Sequence, residues 1–167
     1  IDGRCKTYDV RANGMVRTEG VGSQVLIQAD ESSLFVRHSG VQQDGRSASL
    51  TAPNGSAQAK LLHLVFNCAG MASDDIAVLE AHGTGTQLGD PTEGMSLRSV
   101  VGDGNLDTKM VLGAAKANFG HSEAPSGVLG INKMMQVLAE RCSPGNTHLR
   151  KLNNLLPLQA PVHLVQQ

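Results

Sequence analysis

Two short apolar runs, each followed by a helix-forming segment, constrain the fold of this chain more than any other feature. Residues 76–82 (IAVLEAH) and 109–115 (KMVLGAA) have the length and apolar content of buried strands. A helix-opening segment, DPTEG, follows the first run, and apolar residues at helical spacing follow the second over residues 124–142. Another helix is predicted over residues 53–69. This alternation predicts an α/β fold with a layered sheet, in which chemistry gathers where strands end.

The ends of the predicted helices follow from residues with known capping preferences. Gly70 is the expected left-handed residue after the first helix. Asp90 and Glu93 match a capping box around Pro91, so the second helix is predicted to begin with Asp90 as its N-cap. Pro125 is tolerable only in a first turn, which places the start of the last helix just before it.

Four further segments are predicted to be extended. Residues 7–17 and 23–29 flank the glycine-rich turn EGVG, and residues 33–41 alternate in the manner of a strand. Residues 161–167 (PVHLVQQ) are predicted as one more short strand. The 19 glycines gather in short loops of the kind that approach a ligand closely.

Composition excludes several classes of function. The 167 residues are 40% hydrophobic with a net charge of −1, which is typical of one folded domain without the basic patch of a nucleic-acid-binding protein. The sequence has neither an apolar run of the roughly 20 residues that span a bilayer nor the apolar stretch of a signal peptide. Because the chain lacks an initiator Met, we expect it to begin inside a longer protein. Three widely spaced cysteines indicate reduced thiols in the cytoplasm rather than disulfides or a zinc ribbon: Cys5, Cys68 and Cys142.

His82 ends the first buried run, in the sequence EAHGTGT. Glu80 and His82 are two residues apart on a strand and therefore share one face. The glycines and hydroxyls that follow can wrap closely around an extended polar ligand. The alternative for His82 taken alone is a histidine whose hydrogen bonds are satisfied within the core.

His121 follows the second buried run, in the sequence KANFGH, and immediately precedes the last predicted helix. The positive end of a helix dipole favours a neutral imidazole, which can donate one hydrogen bond to a developing oxyanion. Lys116 and Glu123 lie five residues before and two after His121, where they could form a positioning network. Taken singly, either residue would equally be a solvated surface charge.

Two other kinds of site fit these loops less well. His82, His121 and either a cysteine or Asp90 could supply zinc ligands, but the chain has no local ligand pair such as H-E-x-x-H. The GTG of residues 83–85 is too short for a dinucleotide fingerprint, and no G-x-x-x-x-G-K-[ST] sequence occurs. Neither a metal nor a nucleotide is therefore expected.

The stretches EAHGTGTQLGDPTE and GAAKANFGHSEAPSGVLGINK resemble the two histidine motifs of β-ketoacyl synthases, most closely the ketosynthase domains of modular type I polyketide synthases. The stretches GRCKTYDVRANGMVRTEGVGSQVL, GVQQDGRSASLTAPNGSAQ and NTHLRKLN also resemble this family, in the family's order. The resemblance implies a thiolase-like fold, with residues 1–30 ending its N-terminal half. Residues 31–167 would be the C-terminal half, truncated before its last glycine-rich loop. Gln42 and Asn13 depart from the family pattern, as does the pair Pro125–Ser126, which replaces alanines but suits a helix first turn.

The resemblance also implies a reaction, the decarboxylative Claisen condensation. A cysteine thiolate takes an acyl group from an acyl carrier protein, and the enolate of a malonyl thioester then attacks that group. No cofactor is expected to bind directly, because the substrates are carried on the phosphopantetheine of the carrier protein. The expected partners are this carrier protein, the rest of the synthase and a second copy in a homodimer, whether for polyketide or fatty acid biosynthesis. The family's two histidines, motif lysine, motif glutamate and two pantetheine-contacting threonines correspond to His82, His121, Lys116, Glu123, Thr84 and Thr86.

The family's nucleophile lies in a DTACSS-like segment upstream of GRCK, and this sequence does not contain that segment. Cys5 is not at a helix N-terminus of the kind that lowers a thiol pKa, and Cys68 and Cys142 are predicted to lie inside and at the end of helices. We therefore expect the chain to be inactive alone and to expose an apolar face that the other half would cover. The alternatives are a non-catalytic module for dimerisation or carrier-protein docking, and a subunit whose other half is a separate polypeptide.

Overall fold

The computed structural model describes residues 3–47, 49, 52–102, 110–156 and 162–164. In chain order, its regular elements are α1 (Gly55–Ala69), a 3-10 helix (Ser73–Asp75), β1 (Val78–Glu80), α2 (Gly89–Val101), β2 (Met110–Gly113), α3 (Lys116–Phe119), α4 (Ser126–Glu140) and β3 (Val162–Leu164). Within these described ranges, no helix is long and apolar enough to cross a membrane.

The three strands form one parallel sheet in the order β1–β2–β3. Helices alternate with the strands, which confirms the predicted α/β pattern, and each buried run forms a strand only at its apolar centre. The register places Glu80 opposite Gly113, the last residues of β1 and β2. Because these strands are parallel, the two loops that follow them leave the same edge of the sheet. Of the strand predicted over residues 161–167, only residues 162–164 lie within the described chain.

The predicted ends of α1 follow local capping chemistry. The side chain of Asn54, its N-cap, accepts a hydrogen bond from the amide N–H of Ala57 at 3.2 Å. Gly70 follows the helix with a φ of 64°, and its amide donates to a carbonyl of the last turn. The helix therefore ends at Ala69, as predicted, and begins just after Pro53.

The capping box predicted for α2 is wrong. The helix begins at Gly89, one residue before Asp90, and its N-cap residue Leu88 makes no side-chain cap. The carboxylates of Asp90 and Glu93 instead accept hydrogen bonds from the loop after β1, and Asp90 also accepts one from the N-terminal segment. A carboxylate in the first turn is favoured by the helix dipole in either arrangement, so the pattern identified the right residues but the wrong partners.

Two helices flank the second histidine loop. The single turn α3, which was not predicted, begins at Lys116 shortly after β2. The helix α4 begins at Ser126 with Pro125 as its N-cap residue, five residues beyond His121 rather than directly behind it. Its last residue is Glu140, within the predicted range.

Three segments predicted to be extended contain no regular strand in the described chain: 7–17, 23–29 and 33–41. They contribute two isolated bridges, one between Asp9 and Leu152 and one between Arg17 and His121. An alternating pattern becomes a strand only where a neighbouring strand supplies a ladder of hydrogen bonds. The described residues give these segments no such ladder, so the strand predicted over residues 33–41 is wrong.

Much of this N-terminal part is exposed. Between residues 21 and 41, seven large apolar side chains have more than 60% of their surface exposed: Val21, Val25, Leu26, Ile27, Phe35, Val36 and Val41. Exposed apolar side chains of this kind are in line with the expected apolar surface, and its coverage by the other half of the domain stays a prediction.

The core joins the start of the chain to its end. Tyr8 is fully buried among Leu97, Leu112 and Leu149. Asp9 beside it is also fully buried, and its carboxylate accepts bonds from the guanidinium of Arg11 and from the amides of residues 11, 150 and 151. Burial alone would raise the pKa of Asp9, but these bonds lower it well below its usual range. The domain boundary expected near residue 30 stays a prediction.

Candidate active site

The loop that carries His82 is fixed by one carboxylate from α2. The amide N–H of His82 donates to Oε1 of Glu93 at 2.7 Å, and the amide of Gly83 donates to Oε2 at 2.9 Å. Burial raises the pKa of Glu93, although these two bonds oppose that shift. The helix thus holds the main chain of His82 and leaves its side chain exposed.

Two glycines of this loop have no room for a side chain. Gly83 has a φ of 47°, and a Cβ added to it would lie 2.5 Å from the Cβ of Ala114. Gly85 has a φ of 77°, and its Cβ would lie 2.8 Å from the backbone nitrogen of Lys6. The GTG sequence therefore serves close packing against the protein's own chain. The amide of Gly85 also donates to Oδ1 of Asp90 at 3.0 Å, which fixes the loop a second time.

Thr84 and Thr86 lie side by side in this loop, with their hydroxyl oxygens 3.2 Å apart. The hydroxyl oxygen of Thr86 accepts a bond from the amide of Gly89 at 3.0 Å, so it caps the start of α2. Thr84 is only 7% exposed. The structure brings the two threonines together; their contact with pantetheine stays a prediction.

The main chain of His121 is held by residues 16–18 of the N-terminal segment. Its amide donates to the carbonyl of Val16 at 2.8 Å, and its carbonyl accepts from the amide of Thr18 at 3.0 Å. The ring is held separately, because Nδ1 accepts a hydrogen bond from the amide N–H of Glu123 at 2.9 Å. In the neutral imidazole the proton must then lie on Nε2, which becomes a hydrogen-bond donor.

The two imidazoles meet at the sheet edge that the parallel strands create. The ring centroids of His82 and His121 are 5.5 Å apart, with the ring planes at 83°. His121 is 9% exposed, whereas His82 is exposed. Two imidazoles at this separation are close enough to act on the same bound group.

The pKa values of both histidines are lowered, which favours the neutral form of each ring. Part of the His82 side chain is exposed, but desolvation by the protein atoms around the rest of it is the largest cause that lowers its pKa, and the charge of Lys116 and the neighbouring His121 add to it. Burial and Lys116 also lower the pKa of His121, with Arg17 adding to the shift and Glu123 opposing it. The sequence predicted a neutral His121 from the dipole of the following helix, but that helix begins five residues away. Burial and a buried cation are the causes instead.

Lys116 and Glu123 do not form the pair that their spacing suggested. Lys116 is 7% exposed, and burial lowers its pKa while the nearby carboxylates of Glu93 and Glu80 oppose the shift. The carboxylate of Glu123 instead contacts Nε of Arg17 at 2.9 Å near the surface. Lys116 thus acts on the imidazoles through its charge, and Glu123 acts on His121 through its backbone amide as well as its charge.

A buried ion pair behind the site was not predicted. Nζ of Lys133 in α4 donates to Oε2 of Glu80 at 2.7 Å, and both side chains are 9% exposed. The other oxygen of Glu80 accepts the amide N–H of Ala115. The pair ties α4 to the end of β1, and its partners lie 53 positions apart, so no local pattern of the sequence indicated it. Breaking such a pair by removing one partner is strongly destabilising.

The three cysteines differ in exposure, and within the described chain no hydrogen bond joins a cysteine to an imidazole. Cys5 is buried, and its sulfur accepts the amide of Val16 at 3.2 Å. Cys68 and Cys142 are exposed, within α1 and just beyond α4. Over the described ranges, no group of three or more metal-ligating side chains could hold a metal ion.

Known proteins with similar sequences have been identified. The sequence profile of the C-terminal domain of beta-ketoacyl synthases matches residues 34–150. A phenolphthiocerol/phthiocerol polyketide synthase of Mycobacterium tuberculosis is 38% identical over 163 residues, which is 93% of this chain and 9% of that protein. Chalcone synthase cfoA of Aspergillus candidus is 38% identical over 165 residues, or 90% of this chain and 6% of that protein.

Solved structures match almost the whole chain. The oxazolomycin ketosynthase domain OzmH KS7 of Streptomyces albus JA3453 has a TM-score of 0.86 and 30% identity. The ketosynthase from module 6 of the bacillaene synthase of Bacillus subtilis 168 has a TM-score of 0.83 and 25% identity. Each match covers 99% of this chain and 31% of the solved chain, so the sequence spans about a third of such a domain.

Proposed function

The chain belongs to the β-ketoacyl synthase family, in its C-terminal domain, and we propose that it supplies the decarboxylation and oxyanion half of a ketosynthase active site. Its fold is thiolase-like, in line with the solved relatives. The observation that carries the proposal is the pair of imidazoles, 5.5 Å apart and both shifted toward the neutral form. Since several of its relatives are named polyketide synthases, the proposed pathway is polyketide assembly.

The first chemical step breaks the bond between the malonyl α-carbon and its carboxylate, which leaves as carbon dioxide. The electron pair of that bond moves into the thioester, whose carbonyl oxygen becomes an enolate oxygen. Nε2–H of His121 and an N–H of His82 donate to this oxygen as its charge grows. Fixed donors of this kind stabilise the transition state more than the ground state, and this difference is what accelerates the reaction.

In the second step the enolate carbon attacks an acyl thioester, and a cysteine thiolate leaves. We assign that cysteine to the N-terminal part of the domain, because the sulfur of Cys5 is hydrogen-bonded to Val16 and Cys68 and Cys142 are exposed. Desolvation by the protein, with the charge of Lys116 adding to it, lowers the pKa of both histidines and so favours neutral rings that donate without carrying a positive charge.

The substrate arrives, in this proposal, as a thioester on the phosphopantetheine of an acyl carrier protein. The hydroxyl of Thr86 accepts the amide of Gly89, so its proton is still able to reach the pantetheine or Thr84. Both hydroxyls lie two to four residues beyond His82, where an arm leading to the imidazoles must pass. A homodimer of complete domains belongs to the same proposal.

The test joins this chain to the N-terminal part of a ketosynthase, such as that of the bacillaene module, and measures condensation and release of carbon dioxide from malonyl carrier protein. His82→Ala and His121→Ala should each lower the rate by about 100-fold or more, the usual effect of removing one oxyanion donor. His63→Ala, on the exposed face of α1, is the matched control and should leave the rate unchanged. A joined domain that condenses equally well without either site histidine contradicts the proposal.

A second measurement uses the 167-residue chain alone. Incubation with an acyl thioester followed by intact-mass analysis should show no stable acyl adduct, because nucleophilic catalysis needs an activated thiolate. Stable loading on Cys5, Cys68 or Cys142 would place the nucleophile inside this chain and overturn its assignment to the N-terminal part.

A further inference from the structure

Glu123 has a backbone conformation that a residue with a side chain rarely adopts. Its φ is 57°, in the left-handed region. This conformation aims its amide N–H back at Nδ1 of His121, 2.9 Å away. A left-handed residue other than glycine persists only where its surroundings hold it. The orientation of the His121 ring therefore depends on whatever holds Glu123.

Two contacts converge on Glu123 from different parts of the chain. The hydroxyl of Ser126 donates to the carbonyl oxygen of Glu123 at 2.7 Å, and the Ser126 amide donates to the same oxygen at 3.2 Å. Nε of Arg17 contacts the carboxylate of Glu123 at 2.9 Å. One contact fixes the peptide after the left-handed residue, and the other fixes its side chain.

Arg17 is well placed for this role because its own backbone is tied to His121. The residues on either side of it, Val16 and Thr18, exchange backbone hydrogen bonds with His121 at 2.8 and 3.0 Å. The backbone that carries the guanidinium is therefore fixed relative to the imidazole, which lowers the entropic cost of its contact with Glu123. At 76% and 52% exposure the ion pair is weak by itself, so its effect must come from acting together with Ser126.

We propose that Arg17 and Ser126 are positioning residues for His121, acting through Glu123. They hold the left-handed peptide whose amide binds Nδ1, and this bond keeps the proton on Nε2, where the oxyanion forms. The catalytic consequence rests on the proposed function, whereas the geometry does not.

The test follows His121 and Glu123 by NMR in the 167-residue chain. Ser126→Ala and Arg17→Gln should each speed hydrogen exchange of the Glu123 amide by about threefold or more, relative to the amide of Leu112 in the core. The pKa of His121 should also rise, because an N–H bond to Nδ1 favours the neutral ring. The substitution at Ser126 changes no charge, so a rise there can come only from geometry.

The groups that act on the His121 charge are Lys116, Glu123, Arg17 and, across the site, His82. Arg17→Gln removes one of these charges. It should raise the pKa of His121 both because the repulsion from Arg17 is lost and because the bond from the Glu123 amide to Nδ1 is weakened. Arg17→Lys keeps the charge but loses the Nε contact, and the difference between the two variants separates the two effects.

Ser99→Ala is the matched control, since the Ser99 hydroxyl also donates to a carbonyl three residues earlier, at 2.8 Å, in the last turns of α2 rather than beside Glu123. It should change neither the Glu123 exchange ratio nor the pKa of His121. If the double variant of Arg17 and Ser126 behaves like this control, the positioning proposal is overturned. Failure of the joined domain to condense would overturn the proposed function and leave these NMR results standing.

Discussion

Replacing Glu93 with Gln tests whether one carboxylate holds the His82 loop. Glu93 accepts the amides of His82 and Gly83 at 2.7 and 2.9 Å, one with each oxygen. A glutamine offers one carbonyl oxygen and one NH₂ group. It can therefore keep one of the two bonds but turns a donor toward the other amide.

The size of the effect follows from these contacts. A hydrogen bond to a charged group contributes about 1.5–3 kcal/mol, and a buried donor left without a partner costs about 1–3 kcal/mol. These two free energies describe the same lost bond in part, so they cannot simply be added. Burial of the charge also opposes them, as the raised pKa of Glu93 indicates, because a neutral Gln avoids that desolvation. We expect the free energy of unfolding to fall by about 2–4 kcal/mol.

Urea unfolding of the chain measures this difference directly. Glu140→Gln, an exposed glutamate at the end of α4, is the control and should lie within about 0.5 kcal/mol of the parent. NMR should also show that the amide signals of His82 and Gly83 shift in the Glu93 variant alone. A Glu93→Gln chain with unchanged stability and unchanged amide signals would refute the reasoning.

Three further outcomes are expected. Gly83→Ala should lower the free energy of unfolding by about 3 kcal/mol or more, because its Cβ would overlap a neighbouring Cβ at 2.5 Å. Gly70→Ala is left-handed but in open space and should lower it by about 1 kcal/mol. Equal losses in urea unfolding would contradict the overlap. The pKa values of His82 and His121 lie below 6.5, so the unfolded chain takes up protons first as pH falls, and stability should decline below about pH 6.5. The stability of a chain with Gln at both positions should decline less. An equal decline of the two chains over about pH 5–7 would contradict this. Asp9→Asn should cost about 2–4 kcal/mol near pH 7, and because the pKa of Asp9 is lowered, this difference should shrink as pH falls below 3.8; a gap of constant size on acid titration would count against it.

The sequence was sufficient where local patterns decide the structure. Residues 76–82 and 109–115 are apolar enough to be buried strands in almost any context, and parallel pairing then brings the two histidine loops to one edge. The meeting of His82 and His121 was therefore predictable from strand order alone. The end of α1 at Gly70 was predictable for a similar reason, since its capping chemistry is local.

Predictions were wrong or missing where the deciding partner lies far along the chain. Asp90 and Glu93 have the spacing of a capping box, yet their carboxylates bind amides outside the helix, and no local rule contains that choice. Lys133 pairs with Glu80 across 53 positions. The role of Arg17 depends on an irregular segment whose path has no periodic signal.

The hydrogen bonds of Asp9 have a consequence for how the chain is made. Its carboxylate accepts hydrogen bonds from the amides of Arg150 and Lys151, which lie 141 and 142 positions further along the chain. During synthesis from the N-terminus, Asp9 and Tyr8 must wait for these residues, and β2 must wait for β3. Long-range closure of this kind is slow, and it leaves apolar surface open to aggregation in the meantime. A nascent chain that stops before residue 149 would therefore be a natural client for chaperones, with the histidine loop already made but the core beneath it still open.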